Sequence, residues 1–134
     1  MQPAIITRDL TKKFGEFTAV NQVNLCIEAG TVCGFLGHNG AGKTTLIRML
    51  CGLLEPTSGS GTVLGFDIKT ESEKIKQNIG YMSQKFSLYD DLTVLENLRF
   101  FSGIYGLTTK ESARRIGEII EMAGLKGEEQ TLVG

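Results

Sequence analysis

The sequence of 134 residues has little with which to build a metal centre, a disulfide framework or a membrane span. It carries one histidine, His38, and three cysteines, Cys26, Cys33 and Cys51. The cysteines form no close CxxC pair and are odd in number, so they read as buried, reduced thiols of a cytoplasmic protein. A single histidine gives a metal too few partners. No window approaches the roughly 18 continuous apolar residues of a spanning helix. The first eight residues lack the basic start and long apolar run of a secretory signal. An excess of charge is missing too: 14 basic and 15 acidic residues leave a formal charge of −1. That balance speaks against nucleic acid as a main partner. No internal repeat or low-complexity tract is visible.

What the sequence does have is an apolar content of 41% beside 22% charged residues, which is a globular composition. It also has 17 glycines, nine of them at positions 30, 34, 37, 40, 42, 52, 59, 61 and 65. Serine and proline do not accompany them as in a flexible linker. Glycines clustered in an apolar, β-rich stretch point to tight turns and to backbone approaching a ligand.

Residues 4–9 read as a short strand and 11–15 as a turn. Residues 20–27 alternate, with Val23, Leu25 and Ile27 on one face, as a strand does. After a tight turn at Gly30, residues 31–36 form a nearly continuous apolar run, which predicts a strand buried on both faces. Two strands about a glycine turn suggest an antiparallel pair. Residues 43–51 read as a helix with Leu46, Ile47, Met49 and Leu50 for burial and Gly52 as its stop. Residues 56–61 read as a turn, 62–64 as a short strand, 68–77 as a surface helix or loop and 79–82 as another strand. Thr93 and Glu96 fit a capping box opening a helix through about Phe101, with Val94, Leu95, Leu98 and Phe101 at helical spacing. A second helix over 110–123 carries Ala113, Ile116, Ile120 and Ala123 on one stripe.

Gly37-His38-Asn39-Gly40-Ala41-Gly42-Lys43-Thr44 matches G-x-x-x-x-G-K-[ST] between the apolar run and the helix. Phosphate oxygens need many donors in a small space. Backbone N–H groups from Asn39 to Thr45 can curl round a phosphate only where side chains stay clear, which accounts for Gly40 and Gly42. The helix start adds free N–H groups and a positive dipole end. The Lys43 ammonium suits the β- and γ-phosphates, and the Thr44 hydroxyl is a hard ligand suited to Mg²⁺. His38 reads as a loop residue whose backbone matters more than its ring.

Together with that loop, five further segments occur in order across nearly the whole chain: Leu10-Thr11-Lys12-Lys13-Phe14-Gly15, Val20, Gly52-Leu53-Leu54-Glu55-Pro56-Thr57-Ser58-Gly59, Gly80-Tyr81-Met82-Ser83-Gln84 and Leu92-Thr93-Val94-Leu95-Glu96-Asn97-Leu98. In these the sequence resembles the ATP-binding subunits of ABC transporters, most of all the bacterial ATPases of multidrug or polyketide-type exporters. The resemblance implies an α/β fold: a P-loop NTPase core with an N-terminal antiparallel β subdomain over residues 1–87, then the start of a helical subdomain over 88–134. It implies that Phe14 stacks on adenine, Val20 packs near the ribose and Asn39, Gly40, Ala41 and Gly42 cradle phosphate. Lys43 would then reach the β- and γ-phosphates, Thr44 would hold Mg²⁺ and Thr45 would bond the α-phosphate. Gln84 would sense Mg²⁺ and the attacking water, and residues 85–91 would face a coupling helix of a transmembrane permease. A second ATP-binding domain would close the nucleotide site.

The family's signature motif, its catalytic glutamate and its switch histidine have no counterpart here. The resemblance therefore implies that the chain is the first half or so of the family's domain, with the C-terminal half absent. It implies weak Mg-ATP binding without appreciable hydrolysis by this chain, and apolar surface left exposed around residues 31–36. The expected location is cytoplasmic, at the inner face of the membrane through the permease. A soluble ABC-type ATPase without a membrane partner, and a non-catalytic nucleotide-binding chain, are the alternatives.

Overall fold

The computed structural model describes residues 2–37, 42–83 and 88–134. They divide into two compact units, Met1–Met82 and Ser83–Gly134.

The first unit is built on a hairpin of two long strands, β1 (Pro3–Phe14) and β2 (Phe17–Glu28). A four-stranded antiparallel sheet runs β2-β1-β3-β4, with β3 at Ser58–Val63 and β4 at Phe66–Asp67. The turn expected over 11–15 is narrower than that. Thr11 and Lys12 stay in β1, Phe14 pairs with Phe17, and Gly15 (φ 60°) makes the turn with Glu16. The β1–β2 ladder is irregular near Asp9 (φ 49°) and Gln22 (φ 48°). Two buried threonine hydroxyls satisfy the backbone groups freed there. Thr7 Oγ1 donates to the Val23 carbonyl and accepts from the Leu25 N–H, each at 2.9 Å. Thr11 Oγ1 donates to the Asp9 carbonyl and accepts from the Gln22 N–H, each at 3.0 Å.

Helix α1 (Lys43–Leu50) lays Leu46, Met49 and Leu50 on the sheet, and α2 (Ser72–Asn78) adds Ile75. With Leu10, Val20, Val63 and Ile68 these make the core. Each such side chain contributes roughly 1.5–3 kcal/mol by leaving water. Gly52 (φ 73°) ends α1 as expected, with the Leu53 N–H returning to the Arg48 carbonyl at 2.9 Å.

Five expectations are corrected. Residues 31–36 form no strand, and Val32 and Leu36 are fully exposed, although Phe35 packs against the core. A strand buried on both faces needs neighbours along both edges, and no described strand pairs with this one. The partner of β2 is β1, not the segment after Gly30. Residues 79–82 likewise form no strand, and Met82 is exposed. Gly59 and Gly61 are not turn residues but lie in β3 against β1; a Cβ on Gly59 would sit 2.2 Å from the Asp9 carbonyl oxygen. The cysteines are not buried: Cys26 and Cys33 are exposed and Cys51 is half-buried. Cys26 falls on the outward positions of β2, where Val23, Leu25 and Ile27 take the inward ones.

The second unit holds α3 (Val94–Ile104) and α4 (Thr109–Met122). Both open with a complete capping box, Thr93 with Glu96 and Thr108 with Glu111. The first N–H groups of α3 also find partners in the returning chain, Val94 in the Thr131 carbonyl (2.9 Å) and Leu95 in that of Glu129 (3.0 Å). Helix α4 buries Ile116 and Ile120 from the expected stripe. In α3 the stripe of Val94, Leu95, Leu98 and Phe101 is only half-buried, and the fully buried side chain is the polar Asn97. Among the described residues no helix is long and apolar enough to cross a membrane.

Candidate functional site

Gly42 stands at the N-cap of α1 with φ 86° and ψ 7°, a left-handed conformation that favours glycine. Space gives a second reason for glycine. A Cβ there would lie 2.1 Å from the Ala19 carbonyl oxygen and 3.4 Å from Val20 Cγ2. The helix start is therefore pressed against β2, backbone to backbone. The first intrahelical bond runs from the Leu46 N–H to the Gly42 carbonyl at 2.9 Å. The N–H groups of Lys43, Thr44 and Thr45 thus have no partner within the helix. No acidic residue stands in this first turn, and Arg48 is in the last. The helix therefore offers a positive, donor-rich end with no competing carboxylate, which suits an anion such as phosphate.

The Lys43 ammonium donates to the carbonyl of Gly37, bridging the two sides of the glycine loop. Thr44 is exposed and Thr45 half-buried, both in the first turn of α1. Asn39, Gly40, Ala41 and Gln84, expected as site residues, lie outside the described residues, as does His38.

Phe14 ends β1 with half its surface open to solvent, so it is not a core phenylalanine. Val20 is the opposite case. It is 5% exposed and belongs to the core with Leu46, Met49 and Leu50. It connects the two parts of the site: Val20 pairs with Lys12 across the hairpin, two residues before Phe14, and its side chain abuts Gly42. Among the described residues no group of three His, Cys, Asp or Glu side chains could hold a metal ion.

In the second unit, sequence reasoning treated Asn97 as one letter of a motif and missed its structural role. It is 2% exposed. Its Oδ1 accepts from the Tyr89 N–H at 2.9 Å, and its Nδ2 donates to the carbonyls of Tyr89 (3.0 Å) and Thr93 (3.1 Å). One amide thus holds the loop before α3. A polar residue between the apolar positions of an amphipathic helix was the available signal.

A helix that opens on a left-handed glycine pressed against a small β-rich unit fits an α/β protein with an anion at that helix start. The comparisons narrow this to a family. The ABC transporter family profile matches residues 20–134. The chain is 52% identical over 125 residues to the probable multidrug ABC transporter ATP-binding protein YbhF of Escherichia coli K12, covering 93% of this chain and 22% of that protein. It is 40% identical over 134 residues to the bacitracin transport ATP-binding protein BcrA of Bacillus licheniformis, covering 100% of this chain and 43% of that one. A solved ATP-binding subunit of an ABC transporter superposes with a TM-score of 0.77 at 26% identity, over 96% of this chain and 54% of that chain. The chain belongs to the ABC transporter family, as part of its ATP-binding domain. It spans less than half the length of these two relatives.

Proposed function

We propose that this chain is the nucleotide-binding part of an ABC-type export system, in which ATP drives transport through a membrane partner. The observation that carries this is the start of α1: a left-handed Gly42 with no room for a Cβ, followed by N–H groups that no carbonyl of the helix accepts and by the Lys43 ammonium. In this proposal the N–H groups from Asn39 to Thr45 hold the β-phosphate and Lys43 bridges the β- and γ-phosphates. Thr44 ligates Mg²⁺, Thr45 bonds the α-phosphate and Phe14 stacks on adenine. Gln84 reports on Mg²⁺ and the attacking water. Val20 acts from beneath, setting the floor on which the ribose rests. The metal supplies charge neutralisation on the phosphates when bound.

Residues 1–87 form the nucleotide core with its β subdomain, and 88–134 begin the helical subdomain. Export is supported by the names of the multidrug and bacitracin relatives. The intact protein hydrolyses ATP as one of a pair of such domains, held by the permease at the cytoplasmic face of the membrane. This chain contains no carboxylate assigned to activating the water, so it binds Mg-ATP without turnover. Steady phosphate release from the purified chain, abolished by Lys43→Ala, would contradict that last point. Co-purification of the intact protein with a membrane subunit tests the transport assignment, and recovery free of any such partner would count against it.

A further inference from the structure

Phe14 does not stand alone at the end of β1. The Lys12 ammonium lies over its ring, 5.3 Å from the centroid, within the range of a cation–π contact. The same ammonium donates to the Glu55 carbonyl at 2.9 Å, which fixes it in place. The neighbouring backbone is tied to the same turn. The Thr57 N–H donates to the Thr11 carbonyl and the Lys13 N–H to Thr57 Oγ1, each at 2.9 Å. Three hydrogen bonds thus clamp residues 11–13 to residues 55–57 beside a half-exposed aromatic ring.

We propose that Lys12 is a positioning residue for the nucleotide base, holding and polarising the Phe14 ring from one side so that the other side serves as the stacking platform. This rests on the ATP-binding assignment above and adds a residue to it. The physical case has two parts. An aromatic at a strand end next to a glycine turn has free rotamers, and a base that stacks on it must first freeze one. A cation fixed over one face narrows that choice before the base arrives. The cation also draws on the negative face of the ring quadrupole, which reduces repulsion between the ring's π-cloud and that of the base on the opposite face. Because the ammonium is anchored by a carbonyl, the arrangement does not depend on the nucleotide being present.

The test compares ATP with inorganic tripolyphosphate, both with Mg²⁺, titrated calorimetrically into the whole chain as wild type, Lys12→Met, Lys12→Arg, Phe14→Leu and the Lys12→Met/Phe14→Leu double variant. Circular dichroism checks that each is folded. Lys12→Met keeps the apolar stem and removes the charge. It should weaken ATP by about two- to fivefold, as expected of an exposed cation–π contact, and leave tripolyphosphate unchanged. Lys12→Arg should restore ATP affinity. In the Phe14→Leu background the Lys12→Met change should have no further effect. Equal weakening of ATP and tripolyphosphate would overturn the proposal in favour of simple charge attraction. Unchanged ATP affinity in Lys12→Met would also overturn it, while leaving ATP binding intact. A wild-type chain that binds neither ligand would overturn the ATP assignment and this inference with it.

Discussion

A Cβ on Gly42 would lie 2.1 Å from the carbonyl oxygen of Ala19, so the start of α1 and the edge of β2 meet with no room for a side chain. This contact couples the phosphate loop to the strand that pairs with Lys12 and so to Phe14. Gly42→Ala should therefore do two kinds of damage. The left-handed backbone would be strained and the helix start displaced from β2, together costing about 2–4 kcal/mol. Thermal unfolding of the chain measures this. An unchanged melting temperature would mean that the contact is not maintained in solution.

Asn97 leads to a sharper test, because its amide both donates and accepts. Asn97→Asp keeps the shape but sets a carboxylate against the carbonyls of Tyr89 and Thr93 at neutral pH. It should destabilise the loop before α3 as much as Asn97→Ala does, by roughly 1–3 kcal/mol. The Asp variant alone should recover in acid, where the protonated carboxyl can donate again. Hydrogen exchange at the Tyr89 N–H reads the effect. Normal protection in Asn97→Asp at pH 7 would contradict this account.

The two capping boxes give the second unit a pH dependence. The Glu96 carboxylate is held below its ordinary pKa of 4.5, first by the Thr93 N–H and then by the Thr93 hydroxyl. Thr108 lowers Glu111 in the same way, again with the backbone bond the larger cause. A carboxylate with a depressed folded-state pKa stabilises the fold above the unfolded value and loses that contribution as pH falls through the folded one. Helicity followed by circular dichroism should thus be constant above about pH 5 and decline below pH 4.5. Thr93→Ala and Thr108→Ala should each cost about 1 kcal/mol at neutral pH and flatten the acid decline. An acid profile unaltered by both substitutions would exclude the caps as its source.

How far the sequence disclosed all this depends on how local each determinant is. The helix starts at Lys43 and Val94 were legible because glycine loops and capping boxes are written within four residues, whereas α4 was read from its apolar stripe alone and its Thr108–Glu111 box was missed. Strand β2 and its inward face were legible from the alternation of Val23, Leu25 and Ile27, but its pairing with β1 was not, because the glycine turn at Gly30 pointed to the segment after it. Residues 31–36 carry the composition of a central strand, but composition cannot supply the neighbours that a strand needs for its hydrogen bonds. Gly59 looked like one more turn glycine, because its true constraint is the backbone of β1 fifty residues earlier. Val20 was assigned to the ribose by resemblance alone. Its near-complete burial is a property of the packed unit that the sequence does not express. Lys12 carried no signal either, since a lysine two residues before an aromatic reads as an ordinary solvated charge.

The central claim is that the Gly42–Lys43–Thr44 helix start holds the phosphates of ATP, and titration calorimetry of wild type and Lys43→Ala with Mg-ATP tests it most directly. Lys43 approaches only the Gly37 carbonyl among the described residues, so its loss should leave the fold intact. Removing a charge-assisted contact of this kind should weaken ATP by about ten- to a hundredfold, with little change in melting temperature without nucleotide. Saturable wild-type binding, lost in a folded Lys43→Ala variant, is the predicted result. Equal ATP affinity in the two proteins would contradict it.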